Sequence, residues 1–297
     1  MQKKYRVSDK AILIGFLVPA LLVIAVSQGY PLIYSLYMSM MDWTLAKSAH
    51  PNEFVGFRQF AKLLDDPLFL KSVRLSSLVM VVATAVQVII GFIVANLVVG
   101  GKRSLQVSRT LLLLPMVVAP IAVGTMWRLL YNTKSGFINT LLSSLHIKSP
   151  DWLGNPDLAI WSAIIVEIWE WMPFAMIIYV SAISSIDPSI KESAYIDGAS
   201  GWAYIRKMVV PLVLPATLLI LVFRMIDSFF VIDVFYSLTY GGPGTSTFVS
   251  SLYIYNQGLK YFNVSYAAAA SWFLMLFSLL FAAVLLNWKK KVEGNRG

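Results

Sequence analysis

Five ionisable side chains stand where an apolar chain ought not to carry them. Glu167 and Glu170 lie three apart in "VEIWEWMPFAM", Arg224 and Asp227 lie three apart in "FRMIDSFF", and Asp233 follows shortly after. A spacing of three places each pair on one face of a helix. A charged group at the centre of a membrane span costs about 2.5 to 3.5 kcal/mol on insertion scales, so such groups face a bundle interior or water. The chemistry they offer is hydrogen bonding to a polar solute. Arg224, Asp227 and Ser228 supply donors and acceptors, while Glu170, Trp171 and Phe174 supply a carboxylate and flat rings for the C–H faces of such a solute. A guanidinium also pairs bidentately with carboxylate, sulfonate or phosphate oxygens, which keeps an acidic solute open. A structural reading stands beside this one: Arg224 and Asp227 neutralise each other within one helix, and Trp169 or Trp171 sits at headgroup level.

Residues for catalysis are missing. The nearest approach to a GxxxxGK[ST] phosphate loop is "VVGGKRSL", so no P-loop binding of ATP is expected in this chain. His50 and His146 lie in separate loops without metal-ligand spacing, there is no cysteine, and "DGASGW" lacks the G-x-S-x-G order of a nucleophile elbow. The expectation is a non-enzyme with no metal or cofactor of its own.

The elements that position the charged pairs follow from composition. Apolar residues make up 58% of the 297, and charged ones only 13%, which places the chain in a bilayer. Six runs are long enough to cross one: Ala11 to Tyr34, Ser72 to Val99, Thr110 to Tyr131, Leu158 to Ile183, Pro211 to Leu238 and Val264 to Trp288. Strand-like alternation is absent, so the fold class is an all-α polytopic membrane protein with six transmembrane helices. The first run is long and has no small-residue cleavage pattern, so it reads as a span and not as a signal peptide. With both termini on the cytoplasmic side, fourteen Lys and Arg fall in inner segments and nine in longer outer ones, as the positive-inside rule requires. The net charge of +9 is then an orientation signal, and nucleic acid is not a partner. Three parts result: a cytoplasmic segment 1–10, a transmembrane domain 11–288, and a basic cytoplasmic tail 289–297.

This topology puts "ESAYIDGASGWAYIRKMVVPLVLP", Glu192 to Pro215, between the fourth and fifth spans on the cytoplasmic face. Asp187 followed by Pro188 starts a short helix that runs to about Ile196. Asp197 and Gly198 end it, and a second short helix runs from Ala199 towards Lys207. Ser193, Ala194, Gly198, Ala199, Ser200 and Gly201 carry almost no bulk, so the hairpin can seat in a groove of another protein.

The segment resembles the "EAA" loop of binding-protein-dependent ABC import permeases, in the sugar-permease form "EAAxxDGAxxxxxFxxIxxPxxxP". Ser193, Ile205, Met208 and Val210 stand where Ala, Phe, Ile and Leu are usual, without a large change of size or polarity. The resemblance implies a type I ABC importer permease fold with the coupling loop at 187–210. There Glu192, Ser193, Ala194, Asp197, Gly198 and Ala199 would dock into a cytoplasmic ATPase, Glu192 facing a basic residue of that partner. A second stretch, "VFYSLTYGGPGTST", is similar to the "hhYxLTxGGPxxxT" segment of the first permease subunit of maltose-type importers. In it Gly241, Gly242 and Pro243 would meet an external solute-binding protein. Alone, such a glycine run is an ordinary tight turn. The implied machine has a second homologous permease, two ABC ATPases that hold ATP and Mg, and the binding protein. Its location is a bacterial or archaeal inner membrane, and its solute is a sugar or sugar derivative. Another small polar solute, such as a sugar phosphate or polyol, is the alternative. An ion-coupled secondary transporter is more remote, because six spans are few for one and it leaves the hairpin unexplained.

Overall fold

The computed structural model describes residues 9–100 and 109–294. The basic residues Lys102 and Arg103, most of the segment 1–10 and the end of the tail lie outside the described residues.

Two compact units divide the chain, one gathering the segment up to Asp66 with Ile254–Met275, the other Pro67–Tyr253 with the segment from Leu276 onward. In the first unit, helices α1 (Asp9–Ile24) and α2 (Tyr30–Ser39) are joined by a wider turn at Ala25–Gly29. A two-stranded antiparallel ribbon, β1 (Met41–Asp42) with β2 (Glu53–Phe54), and the short α3 (Arg58–Leu64) follow. Buried Gln59 donates to the Met41 carbonyl at 3.2 Å, and the Trp272 indole donates to Ser35 Oγ at 3.1 Å, so polar side chains tie this unit together.

The second unit holds the charged pairs. Its long helices are α4 (Pro67–Gly100) and, further along, α8 (Pro156–Ser184). They pack closely because small residues meet: a Cβ added at Gly91 would lie 2.7 Å from Ala175 Cβ and 3.0 Å from the Met176 amide nitrogen. Ala95, Ala175, Met176, Tyr179 and Ile220 extend this contact into a buried core. Between them come α5 (Leu114–Val117), α6 (Pro120–Leu130) and α7 (Phe137–Ser144). The hairpin supplies α9 (Pro188–Ile196) and α10 (Gly201–Tyr204), a wider turn at Ile205–Val209 leads to α11 (Val210–Leu212), and α12 (Leu214–Phe229) crosses back against α4 and α8. Next are α13 (Asp233–Thr239) and α14 (Ser250–Tyr255), and α15 (Val264–Gly294) is the last long helix.

Among the described residues four helices are long and apolar enough to cross a membrane, at Ile14–Ser39, Pro67–Gly100, Pro156–Ser184 and Val264–Val284, and a fifth if Gly201–Leu212 and Leu214–Phe229 count as one span bent by 63°. The run 110–131 is not one helix. It breaks at Val118 and Ala119, whose backbones are extended (ψ 140° and 130°), because Pro120 removes an amide donor and pushes the residue before it out of helical geometry. The run 211–238 also ends early, at Phe229, and restarts as α13 after the β-branched pair Val231 and Ile232. Ser250–Tyr255, which reads as loop, is helical, with Tyr253 buried.

Candidate functional site

Arg224 organises the centre of the second unit. It projects from α12, is 1% exposed, and spends its donors on four neighbours. Nε donates to Gln87 Oε1 on α4 at 3.0 Å, Nη2 to Glu167 Oε1 on α8 at 2.6 Å and to Ser228 Oγ at 3.0 Å, and Nη1 to Asp227. The guanidinium also lies over the Trp171 ring, 4.6 Å from its centroid. Gln87 Nε2 donates to the Glu167 carbonyl at 2.9 Å, and Ser228 Oγ to Glu167 Oε1 at 3.1 Å, so the cluster closes on itself. Three helices are cross-linked by one cation.

The charged groups of α8 and α12 therefore face one another. Asp227 pairs with Arg224 inside the helix, yet the side chain of Asp227 remains 58% exposed and lines a cavity of about 120 Å³ with Glu167, Glu170, Trp171 and Asp233. Glu170 is 1% exposed, and neither of its carboxylate oxygens has a partner. Arg224 and Ser228 do not line this cavity; they sit behind its wall. Phe174 is not on it either, and its ring meets Phe223 edge-on with centroids 6.5 Å apart. Trp169 packs against Trp127. Sequence reading placed Glu167 beside Glu170 without assigning it to the site, and it passed over Gln87 altogether. A lone amide in the apolar stretch "ATAVQVII" was the signal for Gln87, since a buried polar group needs a partner.

The hairpin is built by its caps. Asp187 accepts from the Ser189 amide at 2.9 Å, and those bonds hold its carboxyl below the usual aspartate range. At the other end of α9 the Ala199 amide donates to the Ala194 carbonyl and the Gly198 amide to that of Tyr195, the Schellman pattern, with Gly198 at φ +78°. Ser200 then caps α10, accepting from the Ala203 amide at 3.2 Å, so the second helix begins two residues later than Ala199. Ala194 is buried, Ala199 is half-buried, and Glu192, Ser193, Asp197 and Gly198 are exposed. Two large apolar side chains also protrude, Ile196 at 85% and Trp202 at 71% exposure.

The segment after α13 is built differently. Tyr240 and Gly241 both have positive φ (54° and 87°), Gly241 is buried against Phe248 and Leu252, and Gly242 and Pro243 are half-buried. The buried Thr247 hydroxyl donates to the Gly242 carbonyl at 2.8 Å and pairs with Thr239 at 2.7 Å.

Comparison with known proteins agrees with this architecture. The family described as "Binding-protein-dependent transport system inner membrane component" matches residues 69–293. A probable ABC transporter permease protein of Pyrococcus horikoshii is 33% identical over 97% of this chain and 99% of its own length. A trehalose/maltose transport system permease protein of Thermococcus litoralis is 29% identical over 80% of this chain and 79% of its own. Among solved structures, a bacterial ABC transporter involved in the import of the acidic polysaccharide alginate contains a chain with the same fold, at a TM-score of 0.81 and 22% identity, covering 94% of this chain and 95% of that one.

Proposed function

We propose, from the premise that this chain belongs to the family of binding-protein-dependent transport system inner membrane components, that it is the permease subunit of an ATP-driven importer for a sugar or sugar derivative. A permease subunit carries no catalysis of its own; it offers a path and a handle. The path in this reading passes the cavity at Glu170, Trp171 and Asp227, where an exposed carboxylate on an apolar helix makes sense only beside water or solute. The handle is the α9–α10 hairpin.

The observation that carries the proposal is the hairpin's finish. Its backbone is capped at both ends and needs nothing further, yet Ile196 and Trp202 stand out of it almost bare, with the acid Glu192 nearby in α9. A rigid protrusion with exposed apolar side chains suits a pocket on another protein. We assign that partner as a cytoplasmic ATPase, which places the hairpin and both termini on the cytoplasmic side. A second permease, a second ATPase and an external binding protein complete the assembly, and the Gly241–Pro243 turn is the surface offered to the binding protein. ATP and Mg would bind on the ATPase pair, whose closing and opening tilts the hairpin and alternates access to the path. An oligosaccharide, a glycoside or an acidic sugar is in keeping with the relatives' named solutes, which include trehalose/maltose, lactose and sulfoquinovosyl glycerol, with a sugar phosphate or polyol as the second choice.

The test is uptake of radiolabelled sugar by proteoliposomes holding the whole complex. Import is expected to require ATP and to persist when a protonophore collapses the proton gradient. Uptake driven by that gradient without ATP would overturn the proposal.

A further inference from the structure

The cavity beside Arg224 has an electrical character that the family reading does not specify. Its polar lining is Glu167, Glu170, Asp227 and Asp233. Four carboxylates meet there, and the positive charge nearest to them is not offered to the space they enclose. Arg224 lies outside the lining, and its guanidinium has four hydrogen-bond acceptors within the protein and the Trp171 ring against its face. A guanidinium has five N–H donors, so no fork of two parallel donors is left for an incoming carboxylate or sulfonate. The end of α12 meets the same space at Phe230, and the first residues of α6 (Pro120) and α13 (Asp233, Val234) meet it too, so the helix-end partial charges oppose one another and the carboxylates set its sign.

Glu170 is the independent sign of a ligand. It is 1% exposed, it lines the cavity, and both its carboxylate oxygens, as well as Glu167 Oε2, are buried without a partner. Buried acceptors left empty are costly, and an acidic site that closes on itself would have used them. Among the described residues no group of acids or histidines is arranged to hold a metal ion. The missing partner is therefore a hydrogen-bond donor that enters the cavity, water or solute. A cavity of about 120 Å³ holds a few waters or one ring substituent with its hydroxyls, but not a whole oligosaccharide.

We propose that this cavity selects the charge of the solute: it takes a sugar residue that presents hydrogen-bond donors, with a protonated amine as the strongest match, and it excludes solutes that present an anionic group there. Glu170 is the specificity-determining residue, accepting from the solute's hydroxyl or ammonium group. This inference rests on the reading of the cavity as part of the solute path. It also separates this permease from its structural neighbour, whose importer handles an acidic polysaccharide.

The chain has no cysteine, which makes the cavity's charge measurable without knowing the solute. Val231→Cys places a single thiol on the lining, and Ile232→Cys is a second site in case the first impairs assembly. The assembled complex in proteoliposomes is exposed to two thiol reagents of similar size, one carrying a trimethylammonium group and the other a sulfonate. The thiol-free parent chain corrects for cysteines on partner subunits, and nucleotide-free and ATP-trapped states are both sampled. Relative to a small thiol in solution, the cationic reagent is expected to be favoured by about tenfold or more, as in clefts lined by one sign of charge. Adding Glu170→Gln is expected to remove a several-fold part of that preference. Equal rates, or a faster sulfonate, would overturn the charge selection while leaving the path in place. Labelling by neither reagent in any nucleotide state, at both positions, would show a sealed cavity and overturn the path reading together with the inference.

Discussion

The cluster around Arg224 and the α9–α10 hairpin are both polar interruptions of an apolar chain, and they are finished in opposite ways. In the cluster most side-chain groups are satisfied by one another across α4, α8 and α12, leaving Glu170 and one oxygen of Glu167 empty. In the hairpin the backbone is satisfied by caps, while Glu192, Ile196 and Trp202 stand exposed among the described residues. The first arrangement ties three helices of the unit to one another; the second, in the proposed assembly, is completed by a partner. Damage to the cluster should therefore appear in assembly, and damage to the hairpin in coupling.

The largest effect expected is from Arg224→Leu. Removing one member of a buried ion pair leaves the other charge stranded, at a cost of roughly 3–5 kcal/mol. Little assembled complex should be recovered from membranes, and Arg224→Leu with Glu167→Leu should restore part of the assembly but no uptake. If the single change assembles normally, the cluster is not what holds the three helices. Asp227→Asn sharpens the point, since Glu167 still pairs with Arg224: assembly should be near normal while uptake falls.

Hairpin substitutions come next. Glu192→Lys, or Gly198→Trp at a backbone of φ +78°, should leave the complex assembled but reduce uptake by about tenfold, corresponding to a lost coupling of roughly 1–2 kcal/mol. ATPase activity and uptake measured on one preparation decide this. Equal loss of both, together with loss of assembly, would erase the contrast between the two regions.

The turn after α13 offers a smaller effect. A Cβ at Gly242 would lie 3.3 Å from the Thr239 carbonyl oxygen, a contact that a slight shift relieves. Gly242→Leu should weaken stimulation of the ATPase by loaded binding protein a few-fold and leave basal activity alone. An unchanged response would make the segment a turn and nothing more.

The smallest effect belongs to Asp187, which is fully exposed. Its carboxyl is held below the ordinary aspartate value by hydrogen bonds to Ser189, so its contribution to α9 is complete above that ordinary value and is lost as pH falls through the lowered one. Amide exchange at Ser189 and Ile190 should be flat with pH after correction for intrinsic rates and should rise only in acid. Asp187→Ala should show the acid rate at neutral pH.

The hairpin was legible because its signals are local. Asp187 and Pro188 start a helix and Gly198 ends it whatever the surroundings, and the structure has both ends at those residues. The long helices were legible from apolar length alone. What failed to read was geometry set by distant contacts or by proline. The run 110–131 has the composition of a span, but Pro115 and Pro120 divide it. In the cluster, spacing identified the faces of α8 and α12 correctly, yet nothing local to Gln87 says that it reaches Arg224, 137 residues away. Nor does local sequence say that Ser228 and Arg224 lie behind the cavity wall while Glu170 lines it.

The bend of 63° between Gly201–Leu212 and Leu214–Phe229 has a mechanical meaning. Val209 and Val213 are 1% and 2% exposed, so the corner is seated in packed side chains, while Ile196 and Trp202 beyond it stand exposed. From Val213 to Arg224 the other arm measures about 16 Å at 1.5 Å per residue, so a rotation of about 5° at the corner carries the guanidinium by about 1.4 Å. Hydrogen bonds tolerate only a fraction of that stretch. In the proposed cycle the corner is the fulcrum of a bell crank, and its output stroke exceeds the slack at Gln87 and Glu167. Either α4 and α8, locked together at Gly91, are dragged along as one block, or the clasp on Arg224 is released and regripped at every stroke.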